Sequence, residues 1–149
     1  MARNFYSEIN LHIVWHTKEN YPLLIPKVQA VVYHEIRGKC INTRGVYLHE
    51  IGGIEDHVHL AISVAPTIAI AEFIGQLKGA SAHETNQKLG GKLVEWQTGY
   101  GVVSFGTRDM EWVRRYIQNQ RERHTSGEIV QRLERITSEE AEPEPREGP

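Results

Sequence analysis

The sequence lacks the features that mark disulfide-bonded, zinc-thiolate or membrane proteins. It has one cysteine, Cys40, in 149 residues, which excludes an intrachain disulfide and a zinc site made of several thiolates. No apolar run reaches the roughly 18 residues that a membrane span needs. The N-terminus has no charged-then-apolar secretory pattern. We therefore expect a cytoplasmic protein without a membrane partner, of a length that suits one folded domain.

The sequence also has no large excess of basic residues. Its net charge is -2, which taken alone argues against a nucleic-acid partner. Five acids and one arginine lie in residues 138–149, so the rest of the chain carries 16 basic and 14 acidic residues. We predict that this acidic, proline-containing tail is disordered, because it offers too little apolar surface to fold.

Hydrophobic periodicity predicts four strands and four helices. Gly52 and Gly53 are predicted to form the turn between the second and third strands. Thr125 and Glu128 fit a capping box at the start of the last helix. The predicted strands are 8–16, 45–51, 57–64 and 100–105. The first predicted helix begins at Pro26 and is ended by Gly38 and the stretch 42–45, and the other predicted helices are 68–88, 108–123 and 126–137.

The order of these elements predicts an α+β fold. Strand, helix, strand, strand, helix, strand is most simply a ferredoxin-like split βαβ antiparallel sheet, here with added C-terminal helices. Both crossover helices would cover one face of the sheet. The other face would stay open unless a C-terminal helix or a second subunit covers it.

A pair of histidines lies on the third predicted strand. In a strand, residues i and i+2 point the same way, so His57 and His59 share a face, opposite the apolar residues between and after them. Two neutral imidazoles on one rigid strand can bind one metal ion. Glu55 and Asp56 are close enough in sequence to orient such a ligand. The alternative is that the two histidines only mark the solvent-facing side of the strand.

A tyrosine lies on the helix predicted over 108–123. Tyr116 and Gln120 are one turn apart on the same side, and an isolated tyrosine in such a stripe is usually core. Together with the histidine pair, a second interpretation opens. The phenol could act as a nucleophile at phosphorus, with Arg115 and a metal ion supplying the positive charge that its ionisation needs. Gln120 would complete a three-ligand metal site that keeps open positions.

These motifs resemble the HUH single-tyrosine transposases, a family encoded by small bacterial insertion sequences that move as single-stranded DNA. The resemblance covers about residues 9–124. It rests on the order and spacing of four pieces, which are His57-Val58-His59-Leu60, Leu77-Lys78-Gly79, Trp96-Gln97 with Gly99-Tyr100, and Val113 to Gln120.

The resemblance implies a fold, an activity and partners. It implies a ferredoxin-like transposase domain over 1–124. The amphipathic helix predicted at 125–137 and the tail at 138–149 lie outside the resemblance. It implies a homodimer, whose active sites can assemble in trans, and a divalent metal ion, Mg²⁺ or Mn²⁺. His57, His59 and Gln120 match the metal ligands, and Tyr116 matches the nucleophile.

The function implied is cleavage and rejoining of single-stranded DNA at hairpin-bearing insertion-sequence ends, through a 5′-phosphotyrosine intermediate. No nucleotide cofactor is expected, because one phosphodiester is exchanged for another. Two alternatives stay open. One is a non-catalytic nucleic-acid-binding module on the same sheet, such as a domesticated transposase. The other is a small structural or regulatory protein that binds metal through His57 and His59.

Overall fold

A computed structural model describes residues 5–136, and the predicted acidic tail at 138–149 lies outside this range. Within residues 5–136, four strands and five α-helices follow one another. They are β1 (Asn10–His16), α1 (Pro26–Ile41), β2 (Val46–Ile54), β3 (His57–Val64), α2 (Ile70–Leu89), β4 (Gly101–Phe105), α3 (Met110–Gln118), α4 (Gln120–Ser126) and α5 (Gln131–Glu134). Across the described residues, none of the helices is both long enough and apolar enough for a bilayer crossing.

The strands form one antiparallel sheet in the order β2-β3-β1-β4. Both central strands, β1 and β3, pair along their lengths, with Ile13 opposite Leu60 and His16 opposite His57. This is the topology expected for a split βαβ unit, so the predicted α+β fold is confirmed. The predicted bounds of β3 are reproduced to the residue, because its alternation is uninterrupted and Pro66 follows it.

The main core lies between the sheet and the pair α1 and α2. Apolar side chains of β1 and β3 point into it, and Trp15 packs edge-on against Trp96 with ring centroids 5.8 Å apart. Pro26 is the first residue of α1, where its missing N–H costs nothing.

Two pieces of the sequence motif that carried the family resemblance are in contact beside this core, Leu77-Lys78-Gly79 and Trp96-Gln97 with Gly99-Tyr100. Lys78 on α2 donates hydrogen bonds to the carbonyl oxygens of Gln97 and Gly99, at 2.8 and 2.9 Å.

The opposite face of the sheet is covered by α3, α4 and α5 of the same chain. Val113 and Ile117 of α3 pack against Ala61 of β3 in a small second core. The face that could have stayed open is therefore closed within one protomer. Three residues of β3 that point to this side, His57, His59 and Ala61, are as buried as those in the main core, whereas Ser63 is half-buried.

Several predicted boundaries are wrong. Gly52 and Gly53 lie inside β2, and the turn falls at Glu55 and Asp56. Of the two predicted stops of α1, Gly38 lies inside the helix, whereas the stretch 42–45 does follow its last residue, Ile41.

The predicted helices after residue 107 also differ. The helix predicted over 108–123 is divided at Asn119, whose φ and ψ of -103° and 26° leave helical geometry. Nearby, the Gln120 side-chain amide donates to the Tyr116 carbonyl oxygen at 3.1 Å. The helix predicted over 126–137 is only four residues long. The capping box is absent because Thr125 lies inside α4, which ends at Gly127 in the left-handed conformation.

Candidate active site

His57 and His59 point from β3 into the space beneath α3, α4 and α5, where both are almost fully buried. Nδ1 of His57 lies 2.6 Å from Oδ1 of Asp56. The pKa of His57 is raised. Burial acts to lower it, but the hydrogen bonds with Asp56 and Gln120 and the charge of Glu134 outweigh burial. Asp56 thus occupies the orienting position that its sequence neighbourhood suggested.

The ring of His59 is held in place by a hydrogen bond with another histidine. Nε2 of His12, on β1, lies 2.8 Å from Nδ1 of His59. If His59 Nδ1–H donates in this contact, the other ring nitrogen keeps its lone pair for a ligand. That Nε2 is buried and, among the described residues, has no aligned hydrogen-bond partner. Burial lowers the pKa of His59 to about 4, and the nearby carboxylate of Glu134 offsets this only in part.

Tyr116 lies on α3 with its ring edge toward His59, the ring centroids being 6.0 Å apart. Its hydroxyl donates to Oε1 of Glu134 at 2.5 Å and accepts from the backbone N–H of Val130 at 3.0 Å. Burial and then the contact with Glu134 raise the pKa of Tyr116 to about 12. The hydroxyl is therefore firmly protonated in this form of the protein.

Arg115 does not supply positive charge to Tyr116, contrary to the sequence-based hypothesis. Its side chain is exposed and lies 3.4 Å from Glu111, since it is on the outer side of α3. Arg123 takes that place instead, with its guanidinium carbon 5.1 Å from the centre of the Tyr116 ring.

Gln120 is buried at the start of α4. Its Oε1 lies 3.1 Å from Nε2 of His57 and 3.1 Å from Nε2 of His124. The amide oxygen is thus directed into the group of imidazoles. The structure brings all four residues singled out in the sequence, His57, His59, Tyr116 and Gln120, into one place within a single protomer.

Glu134 and His124 add two further potential metal ligands to this group. Oε2 of Glu134, on α5, lies 3.2 Å from Nε2 of His59, and Oε1 lies 3.4 Å from Nε2 of His124. Ligand atoms of His57, His59, His124 and Glu134 all lie within 4.8 Å of one another. Burial acts to raise the pKa of Glu134, but the contacts with His59 and Tyr116 outweigh it and lower this pKa. Three imidazoles, a carboxylate and an amide oxygen suit a divalent cation.

Three residues of this group were not predicted from the sequence. His124 is four residues after Gln120, so helical spacing could have indicated it. His12 lies on the polar side of β1, but only the pairing of β1 with β3 places it beside His59. Glu134 carries no local signal, since the tertiary fold alone brings α5 over the site.

The buried imidazole of His12 is expected to make stability depend on pH. Burial, and then the neighbouring His59, lower its pKa to about 3. The unfolded chain, with a pKa near 6.5, binds the proton more readily. Stability should therefore be lost as the pH falls below about 6.5, by about 2 kcal/mol at about pH 5.

Urea unfolding in EDTA at about pH 7 and about pH 5 measures this loss. Both of these pH values lie above the ordinary pKa values of carboxylates, which are near 4. His12→Gln keeps an acceptor near His59 but cannot titrate, so its loss between the two pH values should be smaller by about 2 kcal/mol. Equal losses in the two proteins would show that His12 is not held neutral.

A pair of histidines on a strand that faces a tyrosine on a helix is the arrangement typical of one class of protein, the single-tyrosine transposases. The chain belongs to the family described as "Transposase IS200 like", whose model matches residues 5–120. The resemblance to single-tyrosine transposases is thereby confirmed.

Two transposases of known insertion sequences are similar in sequence to this chain, which is consistent with its family. The chain is 27% identical over 130 residues to the ISDra2 transposase TnpA of Deinococcus radiodurans. This alignment covers 82% of this chain and 91% of that protein. It is 25% identical over 123 residues to the IS200 transposase of Salmonella typhimurium, covering 78% and 80%.

Two solved structures share the fold. One is a candidate transposase from Deinococcus radiodurans R1, with a TM-score of 0.64 and 24% identity, covering 80% of this chain and 96% of that one. The other is a REP-associated tyrosine transposase bound to a REP hairpin, with a TM-score of 0.59 and 13% identity, covering 87% and 75%.

Proposed function

We propose that this transposase cleaves and rejoins single-stranded DNA at insertion-sequence ends, with Tyr116 as the nucleophile. The observation that carries the proposal is the convergence of the Tyr116 hydroxyl with the buried imidazoles of His57 and His59. A solved structure of the same fold is bound to a DNA hairpin, which supports hairpin-bearing DNA as the partner.

The covalent step exchanges one phosphodiester for another. The Tyr116 oxygen attacks phosphorus and loses its proton as the new bond forms. The bond from phosphorus to the 3′-oxygen breaks, and that oxygen leaves as a hydroxyl after gaining a proton. The 5′-phosphate stays on Tyr116 until a second 3′-hydroxyl attacks it, restores the phosphodiester and releases the tyrosine.

We propose that His57, His59 and Gln120 hold the divalent ion, Mg²⁺ or Mn²⁺. The ion would supply positive charge beside the phosphate oxygens, where negative charge develops in the reaction. Asp56 and His12 orient the two imidazoles through contacts with their Nδ1 atoms, so that the Nε2 atoms face the site. Rigid orientation of this kind lowers the cost of ordering the ligands on binding.

We also propose that the protein acts as a homodimer, as its resemblance to the family implies. One protomer already brings the tyrosine to its own histidines. This placement supports assembly of the site in cis, since trans assembly would require α3 to leave its place on the sheet.

The test of the proposed function is a covalent-adduct assay. The protein is mixed with Mn²⁺ and end-labelled single-stranded DNA carrying the hairpins that flank its reading frame. An SDS-resistant adduct carrying the strand on the 3′ side of the cut, through its 5′-phosphate, is expected, and EDTA should abolish it. Salt-dependent DNA binding without any adduct would reject cleavage and favour the non-catalytic binding module.

A further inference from the structure

Residues 128–136, here called the closing segment, lie over the candidate active site. Leu133 is buried beside β4 and β1, and the Arg132 guanidinium donates to the Ser104 carbonyl oxygen at 2.5 Å. The backbone of Val130 donates to the Tyr116 hydroxyl. The closing segment lies after residue 120, where the family match ends.

Glu134 is the residue through which this segment enters the site. Its two carboxylate oxygens lie among Nε2 of His59, Nε2 of His124 and the Tyr116 hydroxyl, at 3.2, 3.4 and 2.5 Å. A phosphodiester group also presents two oxygens that share one negative charge. In the proposed reaction that group must reach the same hydroxyl and the same imidazoles. The carboxylate and the DNA phosphate therefore need the same space.

His59 gives an independent sign that this position suits a ligand. Its Nε2 is buried, faces Glu134, and among residues 5–136 has no aligned hydrogen-bond partner. A buried polar atom without a partner is costly, and a cation placed between imidazole and carboxylate would remove that cost.

We propose that Glu134 and His124 are metal ligands of a closed form of the protein, and that Glu134 competes with the DNA phosphate for the site. In the closed form a cation is held by His57, His59, His124 and Glu134. Binding of single-stranded DNA requires the closing segment to leave. The inference rests on the proposed function and adds to it the regulation of the same site.

The donor set indicates which cation the closed form prefers. Three imidazoles and one carboxylate form a four-ligand set typical of Zn²⁺ and related transition metals, whereas Mg²⁺ favours oxygen ligands. A site with all its positions taken by protein is structural, and one with an open position is catalytic. Zn²⁺ should thus stabilise the closed form and slow DNA cleavage.

The experiment compares the full-length wild type with Glu134→Ala. Zn²⁺ alone is titrated by calorimetry, and the rate of adduct formation is measured in Mn²⁺. The variant should bind Zn²⁺ at least about tenfold more weakly, the scale of loss that even outer contacts to ligands produce. Its adduct should form at least about tenfold faster, as expected if removal of the carboxylate opens the site.

Two matched variants control for indirect effects. Glu128→Ala removes an exposed carboxylate from the same segment and should behave as the wild type. Gly101→Ala alters no donor atom, but its Cβ would lie 1.9 Å from the Arg135 carbonyl oxygen. It should therefore displace the segment, accelerate adduct formation and make the backbone at the exposed Arg132 and Arg135 more susceptible to trypsin.

Unchanged Zn²⁺ affinity in Glu134→Ala would overturn the assignment of Glu134 as a ligand. A slower adduct in both Glu134→Ala and Gly101→Ala would overturn the competition with DNA. If no variant forms an adduct, the proposed function fails by itself. The calorimetric and tryptic measurements then still decide whether the closing segment binds metal over the site.

Discussion

The Tyr116→Phe protein is expected to form no covalent adduct with single-stranded DNA under conditions in which the wild type does. The substitution removes one oxygen atom and leaves the ring in its contacts with Trp112 and Arg123. Without that oxygen no bond to phosphorus can form, so the predicted effect is total loss of adduct. Gel analysis after SDS denaturation, with the DNA label on the 3′ side of the cut, in the strand whose 5′-phosphate Tyr116 retains, measures it.

The variant should still fold. It loses the hydrogen bonds of the hydroxyl with Glu134 and with the Val130 N–H, which should lower the free energy of unfolding by about 1–3 kcal/mol. Both lost contacts involve residues 128–136, so that segment should become more sensitive to trypsin. Binding of single-stranded DNA without cleavage should persist.

Tyr33→Phe is the matched control. Tyr33 lies on α1, on the other face of the sheet, and within the described part of the chain its buried hydroxyl has no hydrogen-bond partner. Removal of that oxygen should leave stability and adduct formation unchanged or slightly improved. An adduct that persists in Tyr116→Phe would reject Tyr116 as the nucleophile, whatever the control shows.

The fold could be predicted because its signals are local. The alternation in β3 gave the bounds of that strand, and the order of elements with short connections left one simple sheet topology. The wrong predictions fall where tertiary contacts override local preference. Gly52 and Gly53 look like a turn by composition, yet Gly52 pairs with His59 inside the sheet.

The candidate site could be predicted only as far as residues of one element reach. His57 and His59 share a strand, and Tyr116 and Gln120 are one helical turn apart, so periodicity related the members of each pair. The family resemblance related the two pairs to each other. His12 and Glu134 depend on strand register and on the docking of α5, neither of which periodicity determines.

Gly52→Ala is expected to damage both stability and activity. A Cβ on Gly52 would lie 2.4 Å from the carbonyl oxygen of Ile117 and 2.9 Å from its Cγ2. The first of these is a backbone atom that cannot rotate away, so α3 must shift as a body. We expect the free energy of unfolding to fall by about 2–4 kcal/mol, the range of severe overpacking.

The same shift should reach the chemistry, because Ile117 is next to Tyr116 and Gly52 is the register partner of His59. The absence of a side chain at Gly52 is thus what lets the tyrosine helix approach the strand pair that carries the histidines. A displacement of about 1 Å can cost about 100-fold in rate, so adduct formation should fall by about that factor. Denaturant unfolding and adduct kinetics on one preparation measure both effects.

Gly79→Ala is the control for this substitution. Gly79 is exposed on α2, where an added Cβ meets no atom within 4 Å, and alanine there should stabilise the helix by about 0.5–1 kcal/mol. If Gly52→Ala were equally harmless, α3 would not be held against β2 by close backbone contact. The tyrosine would then need another source of its position relative to His59, and assembly across two subunits would become the better explanation.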